Sequence, residues 1–120
     1  MPTGINYNNR VFTALSNSSN GQVSSATRFH YREHNGLISA DYAGGAIVRG
    51  QILGRKLPDN SLEFLYQHID ENGRLCSGRC TSQPELLPDG RLRLDERWQW
   101  LHPESSAGHS VIEELLKEQQ

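Results

Sequence analysis

The chain's two cysteines, Cys76 and Cys80, follow His68 within the stretch YQHIDENGRLCSGRC (66–80). Cysteine and histidine are common zinc ligands, but structural zinc sites use spacings such as C-x₂-C that let four ligands converge. On a helix, the two thiols would lie about 5–6 Å apart. On a strand, they are about 13 Å apart, beyond the ~7 Å Cα separation that a disulfide tolerates. The surrounding pattern favours a strand, so we predict two buried thiols beside Gly78 on one inner face, and no metal site.

A carboxylate, Glu96, interrupts the apolar face of the segment RLRLDERWQWL (91–101). Burial of a carboxylate is unfavourable without a partner, and desolvation raises its pKa. His68 and Tyr66 are candidate hydrogen-bond partners on a neighbouring inner row. Other groups could satisfy the carboxylate in a purely structural role: Arg49, Arg79 or a tyrosine hydroxyl. Glu96 and His68 are therefore the candidate catalytic residues.

The elements that position these residues are predicted from turn signals at short intervals. These signals are Asn20-Gly21, Asn35-Gly36, Gly44-Gly45, Pro58-Asp59-Asn60, Asn72-Gly73 and Pro88-Asp89-Gly90. Such pairs favour turns with positive φ that join antiparallel strands. Between them, apolar and polar residues alternate, as in TRFHYRE (27–33), which is typical of strands with one wet face. Six turns predict seven strands.

The tail, HSVIEELLKEQQ (109–120), is compatible with a helix or a strand, since Glu113 and Lys117 have a helical spacing. We favour a strand at about 109–115, because an eighth strand returning beside Arg10–Ser16 would close the two open edges of the sheet. The sequence thus predicts an all-β chain, with residues 1–120 forming a single eight-stranded antiparallel up-and-down β-barrel. The interior of such a barrel is filled by side chains or holds one small ligand.

Four stretches together resemble a family of short bacterial proteins labelled N-acetylglutamate synthase. They are LSNSSNGQVSSAT (15–27), DYAGGAIVRGQILG (41–54), residues 65–100 and SVIEEL (110–115). The resemblance implies a small calycin-like, lipocalin-like or avidin-like barrel. The residues do not contain the Gly-rich turn and helix N-terminus that cradle the pyrophosphate of acetyl-CoA in the usual synthases. The glycines of AGGAIVRGQILGRK (43–56) lie instead in and around predicted strands.

Aromatic side chains fall on the predicted inner rows of several strands, where they could form either a packed core or a ligand pocket. They are Phe29, Tyr31, Tyr42, Phe64, Tyr66, Trp98 and Trp100. The polar loop LSNSSNGQVSS (15–25) near the barrel mouth offers hydroxyl and amide groups to a ligand. We therefore predict a binding barrel for a small, partly apolar molecule, without a cofactor. Its predicted ligand-binding residues are Tyr31, Tyr42, Tyr66, His68, Glu96 and Trp98.

Two alternatives remain open at this point. In the first, Glu96 and His68 form a general acid/base pair on a small substrate, which requires both to reach one substrate atom. In the second, the chain is a structural module that forms a homodimer through exposed apolar residues such as Leu65 and Ile69.

Composition excludes several classes of partner. The net charge of −2 and the pI near 6.2 give no basic surface for nucleic acid. The sequence contains no run of 18 apolar residues, so it predicts no membrane-spanning helix. The start, MPTGINYNNRVF, does not have the pattern of a secretory signal, so a cytoplasmic location with free thiols is expected.

Overall fold

Eight antiparallel strands form a closed barrel in the computed structural model, which describes residues 4–120. The strands are β1 (Arg10–Asn17), β2 (Arg28–His34), β3 (Leu37–Gly44), β4 (Ile47–Lys56), β5 (Leu62–Asp70), β6 (Leu75–Leu86), β7 (Leu92–His102) and β8 (Ser106–Glu114). Each strand pairs with the next, and β8 pairs with β1 through neighbours such as Phe12 and Glu114. The predicted up-and-down barrel is confirmed.

The strands end where the sequence places residues that tolerate positive φ. Asn35 (φ 50°) and Gly36 (φ 80°) turn β2 into β3, and Gly73 (φ 78°) lies between β5 and β6. The marker Asn20-Gly21 behaves differently, because it lies inside a longer loop (18–27) between β1 and β2. We call residues 18–27 the mouth loop.

The ambiguous tail is mostly strand. β8 begins at Ser106, three residues earlier than predicted, and ends at Glu114. A short 3₁₀ turn, Lys117–Gln119, follows it. The strand assignment is therefore confirmed, and the helical spacing of Glu113 and Lys117 does not produce an α-helix.

Successive connections alternate between the two ends of the barrel, so the mouth loop shares the upper end with the β3–β4, β5–β6 and β7–β8 connections. The segment before β1 covers the lower end. Tyr7 is fully buried there and its hydroxyl donates to the Asn60 carbonyl at 2.6 Å. The Ile5 amide donates to Asn60 Oδ1 at 3.0 Å, and Lys56 Nζ donates to the Ile5 carbonyl at 2.6 Å. The lower half is thus closed by the chain itself.

Side chains alternate between the barrel interior and its outer surface as the sequence indicates. In β7 the buried residues are Leu92, Leu94, Glu96, Trp98 and Trp100. The lower interior is a packed core of fully buried apolar residues that includes Phe12, Ile38, Leu62 and Ile112. Burying each such side chain contributes about 1.5–3 kcal/mol.

Small inward residues make room for rings rather than for open space. A Cβ at Gly78 would overlap the Tyr66 hydroxyl, and one at Gly108 would overlap the Trp98 ring. Cys76, Gly78 and Cys80 are three small residues on the inner face of β6, but they leave no open space at Gly78, because Tyr66 fills it.

Among residues 4–120, no helix has the length and apolar character that a membrane crossing requires.

Candidate functional site

The upper half of the lumen contains a cavity of about 50 Å³. Its wall is mainly aromatic: Phe29, Tyr42, Phe64, Tyr66, Trp98 and Trp100. Polar side chains interrupt this wall: Asn17, Gln22, His68, Cys80, Glu96 and Ser110. Five of the six predicted ligand-binding residues border the cavity. The sixth, Tyr31, lies deeper, where its ring packs edge-on against Phe12 at a centroid distance of 5.0 Å.

A chain of hydrogen bonds runs across the mouth of this cavity. Gln22 Nε2 donates to Asp70 Oδ2 at 3.0 Å, while Gln22 Oε1 lies 2.6 Å from His68 Nε2. Because the amide oxygen can only accept, His68 carries its proton on Nε2. Its Nδ1, at 2.8 Å from the Tyr42 hydroxyl, then accepts from that hydroxyl. Burial lowers the pKa of His68 to about 4, against a smaller opposing effect of Asp70, so the ring is neutral at pH 7.

Asp70 anchors this chain at the upper end. Its side chain is only 1% exposed, and it accepts hydrogen bonds from the backbone amides of Asn72 and Arg74 at 3.0 and 2.9 Å. Arg74 Nε adds a contact of 3.0 Å. The hydrogen bond from Gln22, followed by those from Arg74 and Asn72, holds the pKa of Asp70 well below its usual range. Asp70 is therefore an ionised acceptor at neutral pH.

Both tryptophans tie neighbouring loops and strands to the cavity wall. Trp98 Nε1 donates to Ser110 Oγ at 2.7 Å, and Ser110 Oγ donates to Asn17 Oδ1 at 2.7 Å. Trp100 Nε1 donates to the Asn20 carbonyl of the mouth loop at 2.9 Å. The sequence indicates the loop's amides and hydroxyls as a group, but no pattern in it identifies Gln22 or Ser110 as members of the site.

Glu96 lies at a lower level of the cavity and is 7% exposed. Its Oε2 accepts a hydrogen bond from Ser82 Oγ at 3.1 Å. Burial raises the pKa of Glu96 to about 8, although the Ser82 hydrogen bond opposes the shift. The carboxyl group is therefore mostly protonated at pH 7 and can donate a hydrogen bond.

The predicted hydrogen-bond partners of Glu96 are not the observed ones. His68 is bonded to Tyr42 and Gln22, as described above, and Arg79 lies outside, where it donates to Gln99 Oε1 at 3.2 Å. Arg49 is exposed to solvent. The partner is Ser82, which no sequence pattern singles out, because it lies directly opposite Glu96 on β6.

The structure does not bring the two candidate catalytic residues together. Glu96 lies opposite Ser82, and Ser82 lies opposite Leu62 on β5. His68 is six positions farther along β5 than Leu62, and its hydrogen bonds go to Tyr42 and Gln22 rather than to Glu96. The two groups border the same cavity from different levels and belong to separate hydrogen-bond networks.

Two buried hydroxyl groups, those of Tyr66 and Tyr31, have no hydrogen-bond partner among residues 4–120. Desolvation by burial raises the pKa of both phenols, so each hydroxyl keeps its proton. Buried polar groups in proteins are nearly always paired, and an exception calls for an explanation. Tyr66 borders the cavity, and its hydroxyl group packs beside Gly78 in the barrel wall.

The thiols of Cys76 and Cys80 are free, and both are buried. Burial raises the pKa of Cys80, which keeps it as an unreactive thiol in the cavity wall. Within residues 4–120, no group of three or more His, Cys, Asp or Glu side chains is arranged to hold a metal ion.

On the outer surface, Leu65 and Ile69 are exposed to 60% and 41%. Leu65 lies directly opposite Leu53 of β4, which is 62% exposed. These residues point away from the cavity.

Comparison with known proteins adds one finding. The family model described as "Avidin-like protein" matches residues 5–115, nearly the whole chain. Among curated proteins, none matches this chain. The family match agrees with the expected avidin-like barrel and gives no support to the label N-acetylglutamate synthase.

Proposed function

The chain belongs to the avidin-like family, and on that premise we propose that it binds a small, partly apolar molecule in the upper half of its barrel lumen. Avidin-like proteins bind small ligands such as biotin. A ligand would enter past the mouth loop, since the segment before β1 covers the opposite end.

The observation that carries this proposal is the unpartnered hydroxyl of Tyr66. The hydroxyl is buried and keeps its proton, and Tyr66 borders a cavity whose other walls are largely aromatic. An orphaned hydroxyl of this kind is destabilising by about 1–3 kcal/mol. A ligand with a hydrogen-bond acceptor would satisfy it, while its apolar part contacts the rings.

The size of the cavity limits what the closed barrel can hold. A water molecule needs about 10–15 Å³ of such space, so 50 Å³ accommodates only a group of a few atoms. Pockets for drug-sized ligands measure about 300–1,000 Å³. A ligand of that size would enter only if the mouth loop moved, whereas the polar end of a ligand fits the closed form.

The chemistry of the wall favours a neutral polar group. Glu96 is mostly protonated at neutral pH and His68 is uncharged, so neither offers a cation to an anionic group. Tyr66 and Glu96 are both donors to an acceptor such as a carbonyl oxygen.

Binding is tested with a panel of metabolites that includes biotin, read out by tryptophan fluorescence, because both tryptophans border the cavity. Native mass spectrometry identifies any molecule that co-purifies. Tyr66→Phe should weaken binding about tenfold, the equivalent of one net hydrogen bond of ~1.4 kcal/mol. Tyr7→Phe is the matched control, because its hydroxyl bonds to Asn60 at the other end of the barrel. Equal affinity of the wild type and Tyr66→Phe would refute the role of this hydroxyl.

Self-association is a second candidate property, favoured by the adjacent exposed leucines Leu53 and Leu65. Avidin-like proteins often oligomerise, and contiguous exposed apolar side chains mark interaction surfaces. Light scattering of the wild type and of a Leu53→Lys, Leu65→Glu double variant tests it. An identical mass for both proteins would count against this surface.

The enzymatic alternative requires Glu96 and His68 to act on one substrate atom. Their separate hydrogen-bond networks, that of Glu96 with Ser82 and that of His68 with Tyr42 and Gln22, disfavour that arrangement. It remains a prediction without support from the site geometry.

A further inference from the structure

The side chain of Gln22 extends from the mouth loop into the barrel, where its carboxamide makes one hydrogen bond as an acceptor and one as a donor. Its oxygen lies 2.6 Å from His68 Nε2, and its nitrogen donates to Asp70 Oδ2 at 3.0 Å. Both Gln22 and His68 border the cavity. A donor and an acceptor at this spacing match the two sides of a primary amide.

The two receiving groups are held by contacts that do not involve Gln22. Asp70 is fixed by the backbone amides of Asn72 and Arg74 and by Arg74 Nε. The ring of His68 is oriented by the Tyr42 hydroxyl at 2.8 Å. Because binding groups that are oriented in advance lose little entropy on binding, the pair would keep its geometry if Gln22 moved away.

The mouth loop lies outside the strand ladder. Its hydrogen bonds to the barrel include those from Trp100 Nε1 to the Asn20 carbonyl, from Asn20 Nδ2 to the Ala107 carbonyl and from the Ser18 amide to the His109 carbonyl. Hydrogen bonds of this kind are each worth about 0.5–1.5 kcal/mol, and a loop that is held without a strand ladder opens more readily than the strands.

We propose that His68 and Asp70 form a carboxamide-binding site, that Gln22 occupies it as an internal ligand, and that an amide group of the lumen ligand takes its place. This inference rests on the proposed function, and it names the chemical class of the ligand: a primary amide, or the cis amide of a lactam ring.

Several other functional groups satisfy only part of the site. A ketone or ester can accept from His68 but leaves Asp70 without its donor. An amine can donate to Asp70 but offers nothing to His68 Nε2. A carboxylate is repelled by the charge of Asp70. An amide meets both requirements with a donor and an acceptor on separate atoms, spaced as they are in the Gln22 carboxamide.

The experiment uses Gln22→Ala, which removes the internal amide and leaves His68 and Asp70 in place. Propionamide, butanone and propionate are titrated by NMR, with the ring nitrogens of His68 and the indole signal of Trp100 as reporters. Propionamide should bind Gln22→Ala at least tenfold more tightly than the wild type, because it no longer competes with a tethered group at high effective concentration. Butanone and propionate should shift these signals little.

Gln22→Glu provides a second variant with nearly the same shape. Its carboxylate would face Asp70, so the side chain should leave the site and expose it to propionamide as in Gln22→Ala. A dispersed spectrum with wild-type signals from β6 and β7 verifies that each variant is folded.

Equal binding of propionamide and butanone would overturn the proposal, since it would show only that an apolar hole had been opened. Absence of any shift in folded Gln22→Ala would overturn it as well. A different result would refute the proposed function: no ligand would bind to the wild type with an affinity that depends on Tyr66. A lumen ligand without an amide group that binds equally to wild type and Gln22→Ala would refute the carboxamide site and leave the binding function intact.

Discussion

Replacement of Glu96 by glutamine should stabilise the protein above pH 6.5 and flatten its pH dependence. The carboxyl is buried, and its pKa is raised to about 8 from an ordinary value of 4.5. Ionisation in the folded state is therefore unfavourable, while the unfolded chain ionises freely. Glutamine carries no charge and can accept the same hydrogen bond from Ser82.

The direction in which stability changes with pH follows from the number of protons bound by the folded and unfolded states. Between pH 4.5 and 8 the folded state holds the Glu96 proton that the unfolded state has released, so the free energy of unfolding falls as pH rises. His68 has the opposite effect, because its pKa is lowered from 6.5 to about 4 and the unfolded state binds more protons between those values. The two contributions oppose each other up to pH 6.5. From pH 6.5 to 8 the free energy of unfolding still falls because of Glu96, whereas His68 is deprotonated in both states and no longer changes it.

Over this window the stabilisation lost is about 2 kcal/mol, at ~1.4 kcal/mol per pH unit. The other titratable groups that face Glu96 in the lumen, Tyr31, Tyr42, Tyr66 and Cys80, have pKa values raised above ordinary values of 9 to 10, so they titrate above the window.

The assay is urea unfolding followed by tryptophan fluorescence at pH 6.5, 7.0, 7.5 and 8.0, with linear extrapolation to water. Between pH 6.5 and 8.0 the free energy of unfolding of the wild type should fall by about 2 kcal/mol, and that of Glu96→Gln should change little. Glu96→Met serves as a second variant, because methionine is uncharged and has no amide group that needs a hydrogen-bond partner. Glu63→Gln is the control, since this exposed carboxylate pairs with Arg55 on the surface and its removal should change stability by at most ~1 kcal/mol. A decline in Glu96→Gln as steep as in the wild type would show that another group causes it.

Three further predictions concern packing and are measured by the same unfolding assay at pH 6.5. Gly78→Ala should destabilise by about 1–3 kcal/mol, because the added methyl overlaps the Tyr66 hydroxyl; an unchanged midpoint would contradict the close packing. Tyr66→Phe should leave stability unchanged or raise it by about 1 kcal/mol, since it removes an unpartnered buried hydroxyl; a clear loss would indicate a hidden partner. Ile112→Ala should cost about 2–5 kcal/mol because Ile112 is fully buried, whereas Leu53→Ala, at a position 62% exposed, should be nearly neutral; comparable losses would contradict the assigned faces.

Much of the fold could be predicted because its signals are local. The alternation of β7 identified Glu96 and Trp98 as inward residues, and positive-φ turn residues marked the ends of the hairpins. The mouth loop was harder to predict. Asn20-Gly21 reads as a tight turn, yet it lies within a loop whose path is set by contacts with β7 and β8, such as that of Trp100 with the Asn20 carbonyl.

The candidate site was predicted less completely, for a related reason. The inward direction of Tyr66 and His68 followed from the period of two, but their partners did not. Glu96 pairs with Ser82, and His68 pairs with Gln22 at a sequence separation of 46. Nothing local in the sequence distinguishes these pairs from the expected pairing of Glu96 with His68.

The sequence by itself determined which segments are strands, which face of each is buried and that eight strands form the wall. These properties depend on backbone preference and on the alternation of neighbouring side chains. The tertiary structure alone decided that Tyr66 fills the space beside Gly78, that its hydroxyl is unpartnered and that Gln22 enters the mouth. The physical reason is the stagger between strands, which sets the level of each inward side chain and thereby selects its contacts across the barrel.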